Sequence, residues 1–173
     1  MKTSEIKVLY SNSDISNRIK QIAIDIKDKY SSSDEIVIVG LLNGCFIFTS
    51  DLVREIDRDL KIDFMTVSSY GDKMESSGVI NIKMDISIDI KDKNVIIVDD
   101  IIDTGNTLFE IKKYLESKKP KHLEICCLLD KKEKRKRDIV VNYSGFVCPD
   151  KFVVGYGMDA SGKFRNLPYI GYI

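Results

Sequence analysis

VIIVDDIIDTGNT, residues 95–107, is the stretch that decides the fold of this chain. Its first four residues are apolar and β-branched, which predicts a buried strand, and two carboxylates follow them at Asp99 and Asp100. Residues 104–107 then predict a tight turn, because an apolar repeat at helical spacing begins directly after them. A buried strand that passes through a short turn into a helix is the repeating unit of a parallel α/β sheet.

The sequence on either side of this stretch repeats the alternation. Apolar residues at helical spacing predict one helix after Ser13 or Asp14 and a second after Gly44. Strand-like runs lie at residues 35–42, 61–69, 79–90 and 122–129, with shorter extended pieces around Ile139 and at residues 152–154. Residues 70–78 are polar and aperiodic, so they predict a mobile loop. The pattern predicts an α/β fold with a central, mainly parallel sheet flanked by helices.

Length and composition limit the function classes. The chain has 173 residues, of which 43% are hydrophobic and 31% charged, so we expect residues 1–173 to form a single domain with a real core. Lys plus Arg and Asp plus Glu both number 27, and the formal net charge is zero. No global field therefore favours nucleic acid or a membrane surface, and neither is expected as a partner.

The cysteines and the hydropathy indicate a compartment. The four cysteines show neither disulfide-framework nor zinc-site spacing, and two of them are neighbours in an apolar run. No stretch approaches the length of a membrane span, and the first residues lack the apolar segment of a signal peptide. We therefore expect a reduced, cytoplasmic protein.

The acidic strand end and the turn that follows it pose a chemical puzzle, because carboxylates repel a phosphate. A sugar phosphate resolves it. The phosphate would lie on the backbone N–H groups of Thr104, Gly105, Asn106 and Thr107, while the sugar hydroxyls donate to Asp99 and Asp100 with Mg²⁺ nearby. The glycine patterns of dinucleotide and P-loop sites are absent from the sequence.

These residues resemble the phosphoribosyl-pyrophosphate motif of type I phosphoribosyltransferases. Three other segments resemble hypoxanthine-guanine phosphoribosyltransferases more narrowly, and the likeness spans roughly residues 5–173. The segments are Leu42-Asn43-Gly44 at the pyrophosphate loop, Ser69-Tyr70 at the start of the active-site flap, and FVVGYGMD (152–159) with Phe164-Arg165 at the purine-binding tail. The resemblance implies the type I phosphoribosyltransferase fold, with a small hood built from the N- and C-terminal segments.

The resemblance also implies a role for each residue at the purine. Asp103 would be the general base at N7, and Lys131 would donate to O6. Phe152 would stack on the ring, and the Val153 backbone would bond its edge. Local patterns allow structural alternatives: a helix N-cap for Asp103, a core position for Phe152, and a solvated face for the whole basic run 131–137.

At the sugar and the pyrophosphate, the resemblance implies a second set of contacts. Asp99 and Asp100 would hold the ribose hydroxyls and Mg²⁺, and Asp159 would face the 2-position of the base or a second Mg²⁺. Arg165 and the backbone of Leu42, Asn43 and Gly44 would hold pyrophosphate, and the family forms a strained, sometimes cis, peptide between the first two of these. Ser69 and Tyr70 would close over the site. Asn43 departs from the family, which usually has a basic residue there, and Asn106 replaces a Lys of some relatives.

The implied reaction is purine salvage. Hypoxanthine, and guanine, would react with 5-phosphoribosyl 1-pyrophosphate to give the 5′-nucleotide (IMP or GMP) and pyrophosphate with Mg²⁺, in a homodimer or homotetramer. Two alternatives stay open at this point. One is a nucleotide-sensing regulator of the same fold that binds nucleic acid through residues 131–137, and the other is a transferase that prefers xanthine.

Overall fold

The computed structural model describes residues 6–69 and 80–173. In these residues the chain forms nine strands, three α-helices and a short 3-10 helix. In chain order they are β1 (Lys7–Tyr10), α1 (Asn12–Lys29), β2 (Ile36–Leu42), α2 (Phe46–Glu55), β3 (Lys61–Ser69), β4 (Ile80–Met84), β5 (Asn94–Ile102), α3 (Asn106–Ser117), β6 (His122–Asp130), the 3-10 helix (Lys132–Lys134), β7 (Tyr143–Val147), β8 (Val153–Val154) and β9 (Ile170–Tyr172).

Six strands form the central sheet, in the order β4-β3-β2-β5-β6-β7. Strands β3, β2, β5, β6 and β7 are parallel, and β4 pairs antiparallel at one edge. The register aligns Val98 of β5 with Gly40 of β2 on one side and with Cys126 of β6 on the other. The predicted mainly parallel sheet is confirmed.

The core lies on both faces of this sheet, because successive strand residues point to opposite sides. Ile36 and Ile38 of β2 pack with α1 and α2, whereas Val37 and Val39 pack with α3. Helix α1 begins at Asn12, slightly earlier than predicted, because Ser11 and Asp14 form a capping box around its first turn.

The two ends of the chain build a second, smaller sheet with the order β1-β9-β8. Strand β9 pairs antiparallel with both neighbours, so the N-terminal strand is joined to the C-terminal tail. This sheet is the expected hood, and its presence is confirmed. In the part of the chain described here, no helix is long and apolar enough to cross a membrane.

Two sequence predictions of strands need correction, and one predicted loop lies outside the described residues. Of the strand pair predicted at 79–90, only β4 is a strand; the backbone after it turns, and the Asp63 carboxylate accepts from the backbone N–H groups of Ser87 and Ile88 at 2.6 and 2.9 Å. Residues around Ile139 are not a strand, and β7 lies further along the chain. The loop predicted at 70–78 falls outside the described residues.

Candidate active site

The carboxyl ends of the parallel strands meet at one edge of the central sheet, where open α/β sheets bind ligands. There β2 leads into Asn43, β5 into Asp103 and β6 into Lys131. The backbone N–H of Lys131 donates to the Ile102 carbonyl at 3.0 Å, which ties the ends of β5 and β6 together. The fold therefore places three sequence-predicted segments side by side.

Asp99 and Asp100 are half-buried in the last part of β5, which continues past them to Ile102. Burial raises the pKa of Asp99 well above its ordinary value, and the neighbouring charge of Asp100 raises it further. Burial also raises the pKa of Asp100, although the positive charge of Arg165 opposes this. Two adjacent carboxylates that resist ionisation form a site that a bound cation would stabilise.

The loop after β2 is held between Asp100 and the C-terminal tail. Its Leu42–Asn43 peptide is cis, the form that the family resemblance allowed. A Cβ on Gly44 would lie 1.9 Å from Oδ2 of Asp100, and a Cβ on Gly157 would lie 2.0 Å from the Gly44 carbonyl oxygen. Both positions therefore require glycine, because the backbone of the loop directly contacts the groups on either side.

The turn after β5 exposes the start of helix α3. Gly105 is the N-cap residue, with a left-handed φ of 79°, and no described side chain caps the helix. The Asn106 N–H lies 3.4 Å from Oγ1 of Thr104, a long contact. Uncapped N–H groups and the helix dipole make this turn, with Thr107 in the first helical turn, suitable for one phosphate.

Asp103 and Lys131 form the most specific contact at this edge. Nζ of Lys131 lies 3.6 Å from Oδ2 of Asp103 and 3.9 Å from Oδ1 of Asp150, and the lysine side chain is only 9% exposed. Oδ1 of Asp103 is buried and has no hydrogen-bond partner among the described residues. The N-cap alternative for Asp103 is wrong, because the cap is Gly105. The Asp103 side chain as a whole is 44% exposed, so its Oδ2 beside the buried Lys131 cation is suited to a ligand with a donor next to an acceptor.

Phe152 lies just before β8 and is 58% exposed, so its alternative as a core residue is wrong. An exposed aromatic ring at a functional edge can stack on a flat ligand. Val153 is buried and pairs with Tyr172, which fixes the backbone beside the ring. The hood thus presents an apolar platform and a strand backbone together.

Asp159 and Arg165 contact each other in the tail. Arg165 pairs with Oδ1 of Asp159 at 2.6 Å and donates to the Gly157 carbonyl at 2.6 Å. The second oxygen of Asp159 accepts the Gly162 N–H at 2.7 Å. Both side chains are therefore anchored close to the Gly44 loop, and the metal role predicted for Asp159 stays a prediction.

The basic run 131–137 is not a uniformly solvated face. Arg135 is 17% exposed at its side chain and pairs with the buried Asp130, so the solvated interpretation is wrong for it. Lys134 pairs with Asp150 at 2.6 Å, and Nε of Arg137 donates to Oδ1 of Asn106 at 2.9 Å. Lys132, Lys136 and Arg137 are exposed, as predicted.

Some site residues were missed at the sequence level. Asp150, Gly157 and Arg137 contact predicted site residues, yet each carries only a weak local signal: an acid near the tail motif, a glycine among others, and one cation within a run. Of the predicted flap, Ser69 is the last residue of β3 and pairs with Ile80. The Ser69 side chain and Tyr70 lie outside the described residues.

Mg²⁺ fits the oxygen donors at this edge. No group of three or more His, Cys, Asp or Glu side chains in the described ranges is arranged to hold a metal. Mg²⁺ does not need such a group, because it is commonly bound by one or two carboxylates together with substrate oxygens and water. Asp99 and Asp100 supply that minimal set; burial raises the pKa of both, and the neighbouring charge of Asp100 raises that of Asp99 further.

Comparison with known proteins agrees with this geometry. Residues 6–161 match the sequence profile of the phosphoribosyl transferase domain. The hypoxanthine-guanine phosphoribosyltransferase of Aquifex aeolicus is 50% identical over 170 residues, covering 98% of this chain and 96% of that protein. The hypoxanthine phosphoribosyltransferase of Escherichia coli K12 is 44% identical over 167 residues, covering 96% and 94%.

Solved structures give the same result. A crystal structure of a hypoxanthine-guanine phosphoribosyltransferase from Bacillus anthracis matches with a TM-score of 0.93 and 43% identity, covering 96% of this chain and 98% of that one. A hypoxanthine phosphoribosyltransferase from Staphylococcus aureus also has a TM-score of 0.93, with 45% identity, covering 96% and 90%. The hood and the central sheet are both included at this coverage.

Proposed function

Because this chain belongs to the phosphoribosyltransferase family, in its hypoxanthine-guanine branch, we propose that it joins a 6-oxopurine to 5-phosphoribosyl 1-pyrophosphate. The products are the purine 5′-nucleotide and pyrophosphate. Hypoxanthine is the first substrate we assign, followed by guanine, and the reaction serves purine salvage.

The separation of 3.6 Å between Lys131 Nζ and Asp103 Oδ2 carries the proposal. In a 6-oxopurine, N7 and O6 are neighbours on one edge of the ring. An ammonium has only donors and suits O6, whereas a carboxylate accepts and suits the proton on N7. A 6-aminopurine would bring a second donor against the ammonium, so the pair selects the oxo group.

The transfer step needs one proton acceptor. The bond between C1′ and the pyrophosphate oxygen breaks, the bond between N9 and C1′ forms, and the N7 proton passes to Asp103. Oδ1 of that carboxylate is buried whereas the side chain as a whole is 44% exposed, so Oδ2, the oxygen that faces Lys131, is the atom we assign to receive it. Lys131, 9% exposed at its side chain, offsets the charge that gathers at O6 and orients the ring that Phe152 covers.

We assign the sugar and phosphate ends of the substrate to two other elements. The uncapped start of α3 takes the 5′-phosphate on N–H groups of residues 104–107. Asp99 and Asp100 take the ribose hydroxyls, and Mg²⁺ bound there would neutralise the pyrophosphate leaving group. We assign the same leaving group to the backbone of residues 42–44 and to the guanidinium of Arg165; the contact of Gly44 with Asp100 and the hydrogen bond from Arg165 to the Gly157 carbonyl support this.

The cysteines and the basic run bear on where the protein acts and on its partners. We propose that residues 1–173 act as one catalytic domain in the cytoplasm, where the four cysteines, all free and buried, stay reduced. The basic run is engaged by Asp130, Asp150 and Asn106, which argues against a nucleic-acid role. Closure by Ser69 and Tyr70, a second Mg²⁺ at Asp159, and a homodimer or homotetramer stay predictions.

A panel of bases tests the proposal. Purified protein is mixed with 5-phosphoribosyl 1-pyrophosphate, Mg²⁺ and one of hypoxanthine, guanine, xanthine or adenine, and nucleotide formation is followed by absorbance. We expect turnover with hypoxanthine and guanine and none with adenine. Turnover with xanthine alone would favour the xanthine alternative, and no turnover with any base would refute the proposal.

A single substitution tests the proton acceptor. Asp103→Asn keeps the shape of the side chain but removes its basicity, so we expect kcat to fall about 10²–10⁴-fold with an unchanged unfolding midpoint. Asp150→Asn is the matched control, because Oδ1 of Asp150 lies at a similar distance from Lys131, 3.9 Å, but pairs with Lys134 at 2.6 Å. A kcat within about threefold of wild type for Asp103→Asn would show that another group accepts the proton.

A further inference from the structure

Residues 135–139 pack against the turn at residues 104–107, to which we assign the 5′-phosphate. The Lys136 N–H donates to the Thr104 carbonyl at 2.9 Å. A Cβ on Gly105 would lie 3.1 Å from Cδ of Arg135 and 3.4 Å from Cγ2 of Ile139. Arg135 also donates to the Ile139 carbonyl at 2.8 Å, which closes the segment on itself. The segment is therefore fixed relative to the turn.

Arg137 is the member of this segment that reaches the first turn of α3. Its Nε donates to Oδ1 of Asn106 at 2.9 Å, and its guanidinium carbon lies 5.2 Å from the centre of the Phe109 ring. The two contacts hold the planar group from two sides. No carboxylate among the described residues lies within ion-pair distance of it. A positive charge is thus fixed beside the helix start without an internal counterion in the described ranges.

We propose that Arg137 is a positioning residue for the 5′-phosphate: it fixes Asn106 at the head of the turn and adds a positive charge close to the bound dianion. The inference rests on the proposed function, because that function places the phosphate on residues 104–107. Arg137 would act on binding rather than on the chemical step, since the transfer occurs at C1′ of the sugar. Arg137 is thus one cation of the run 131–137 with a specific role at the turn.

Two properties of Arg137 can be separated by substitution. Arg137→Gln keeps an N–H donor for Asn106 but loses the charge, whereas Arg137→Lys keeps the charge but loses the planar group. Lys136→Gln is the matched control. It removes the same charge one residue away, and only the backbone of Lys136 contacts the turn among the contacts described.

Steady-state kinetics with varied 5-phosphoribosyl 1-pyrophosphate give the first readout. For Arg137→Gln we expect KM for this substrate to rise about 3- to 5-fold at low salt, with kcat and KM for hypoxanthine within about twofold of wild type. The difference should shrink toward 1 M salt, where the screening length falls to about 3 Å. Arg137→Lys should stay closer to wild type, and Lys136→Gln should change KM by less than about 1.5-fold.

Calorimetric binding of ribose 5-phosphate gives the second readout and requires no transfer. A weaker Kd for Arg137→Gln than for Lys136→Gln supports the inference even if the wild type transfers no base, so failure of the proposed function is recognised separately. Equal KM and Kd values for the two variants would overturn it. A fall in kcat at unchanged KM would overturn it too, as would a wild type that does not bind ribose 5-phosphate.

Discussion

Replacing Gly44 with alanine should inactivate the protein without unfolding it. The new methyl carbon would lie 1.9 Å from Oδ2 of Asp100, whereas side-chain carbons in proteins essentially never approach closer than 3.0 Å. The carboxylate must therefore move by about 1 Å, and a displacement of that size at a reacting centre can cost about 10²-fold in rate. The expected loss in kcat/KM is thus about 10²-fold, or about 2.7 kcal/mol of transition-state stabilisation.

The free energy of unfolding should fall only slightly. Alanine in place of glycine at a compatible backbone position restricts the unfolded chain and stabilises the fold by about 0.4–1 kcal/mol, which offsets part of the cost of moving Asp100. Gly162→Ala is the matched control, since a Cβ there meets nothing within 4 Å but sits at a φ of +77°. It should lower the urea midpoint, at a cost of about 1–2 kcal/mol, and leave kcat/KM unchanged.

A double-mutant cycle identifies the cause. Asp100→Ala removes the group that the new methyl meets, so Gly44→Ala should cost less than about threefold in that background. The assay is nucleotide formation from hypoxanthine, with urea unfolding of each variant. An equal loss in both backgrounds, or a Gly44→Ala single variant within threefold of wild type, would refute the steric reasoning.

Three other changes have expected outcomes. Lys131→Ala should weaken hypoxanthine binding by about 1.5–3 kcal/mol without affecting 5-phosphoribosyl 1-pyrophosphate, and equal loss of both in calorimetry would contradict this. Phe152→Ala should raise KM for the base by the equivalent of about 1–3 kcal/mol and leave the melting temperature unchanged, because the ring is 58% exposed. Glu124→Gln should lower the unfolding free energy by about 1–3 kcal/mol near pH 7. Burial opposes ionisation of Glu124, but hydrogen bonds from a lysine and two tyrosines outweigh it and lower its pKa below 4.5. Its contribution is present above that value and is lost as pH falls through the folded pKa, so the urea midpoint of wild type should decline more steeply than that of the variant between about pH 5 and pH 3.

Local patterns predicted most elements well. The run 61–69 is a strand over its whole length, and the apolar repeat from Ile15 to Ile26 is the buried face of α1. These predictions succeed because strand and helix periodicities follow directly from backbone geometry. The prediction for region 79–90 was wrong, because its alternating residues belong to one strand and to a turn after it. The distant Asp63 carboxylate accepts hydrogen bonds from the backbone of that turn.

The candidate site was less predictable where its contacts are distant in sequence. The run 131–137 has a uniform appearance, yet Arg135 pairs with a buried carboxylate. Lys136 and Arg137 are both exposed, and it is the side chain of Arg137 that contacts a helix start. Charge alone does not distinguish these cations, because their partners are decided by how the segment packs on the turn after β5.

The sequence by itself determined the central alternation of strands and helices, the acid pair and the turn at the end of one strand, and the chemical groups available at each strand end. Only the tertiary structure decided that Lys131 lies 3.6 Å from Asp103, and that Gly44 is held between Asp100 and Gly157. The physical reason is that a strand pattern specifies which residues are buried. Distances across the sheet edge depend instead on the register of β2, β5 and β6 and on the docking of the C-terminal tail, which hydrogen bonds between distant segments decide.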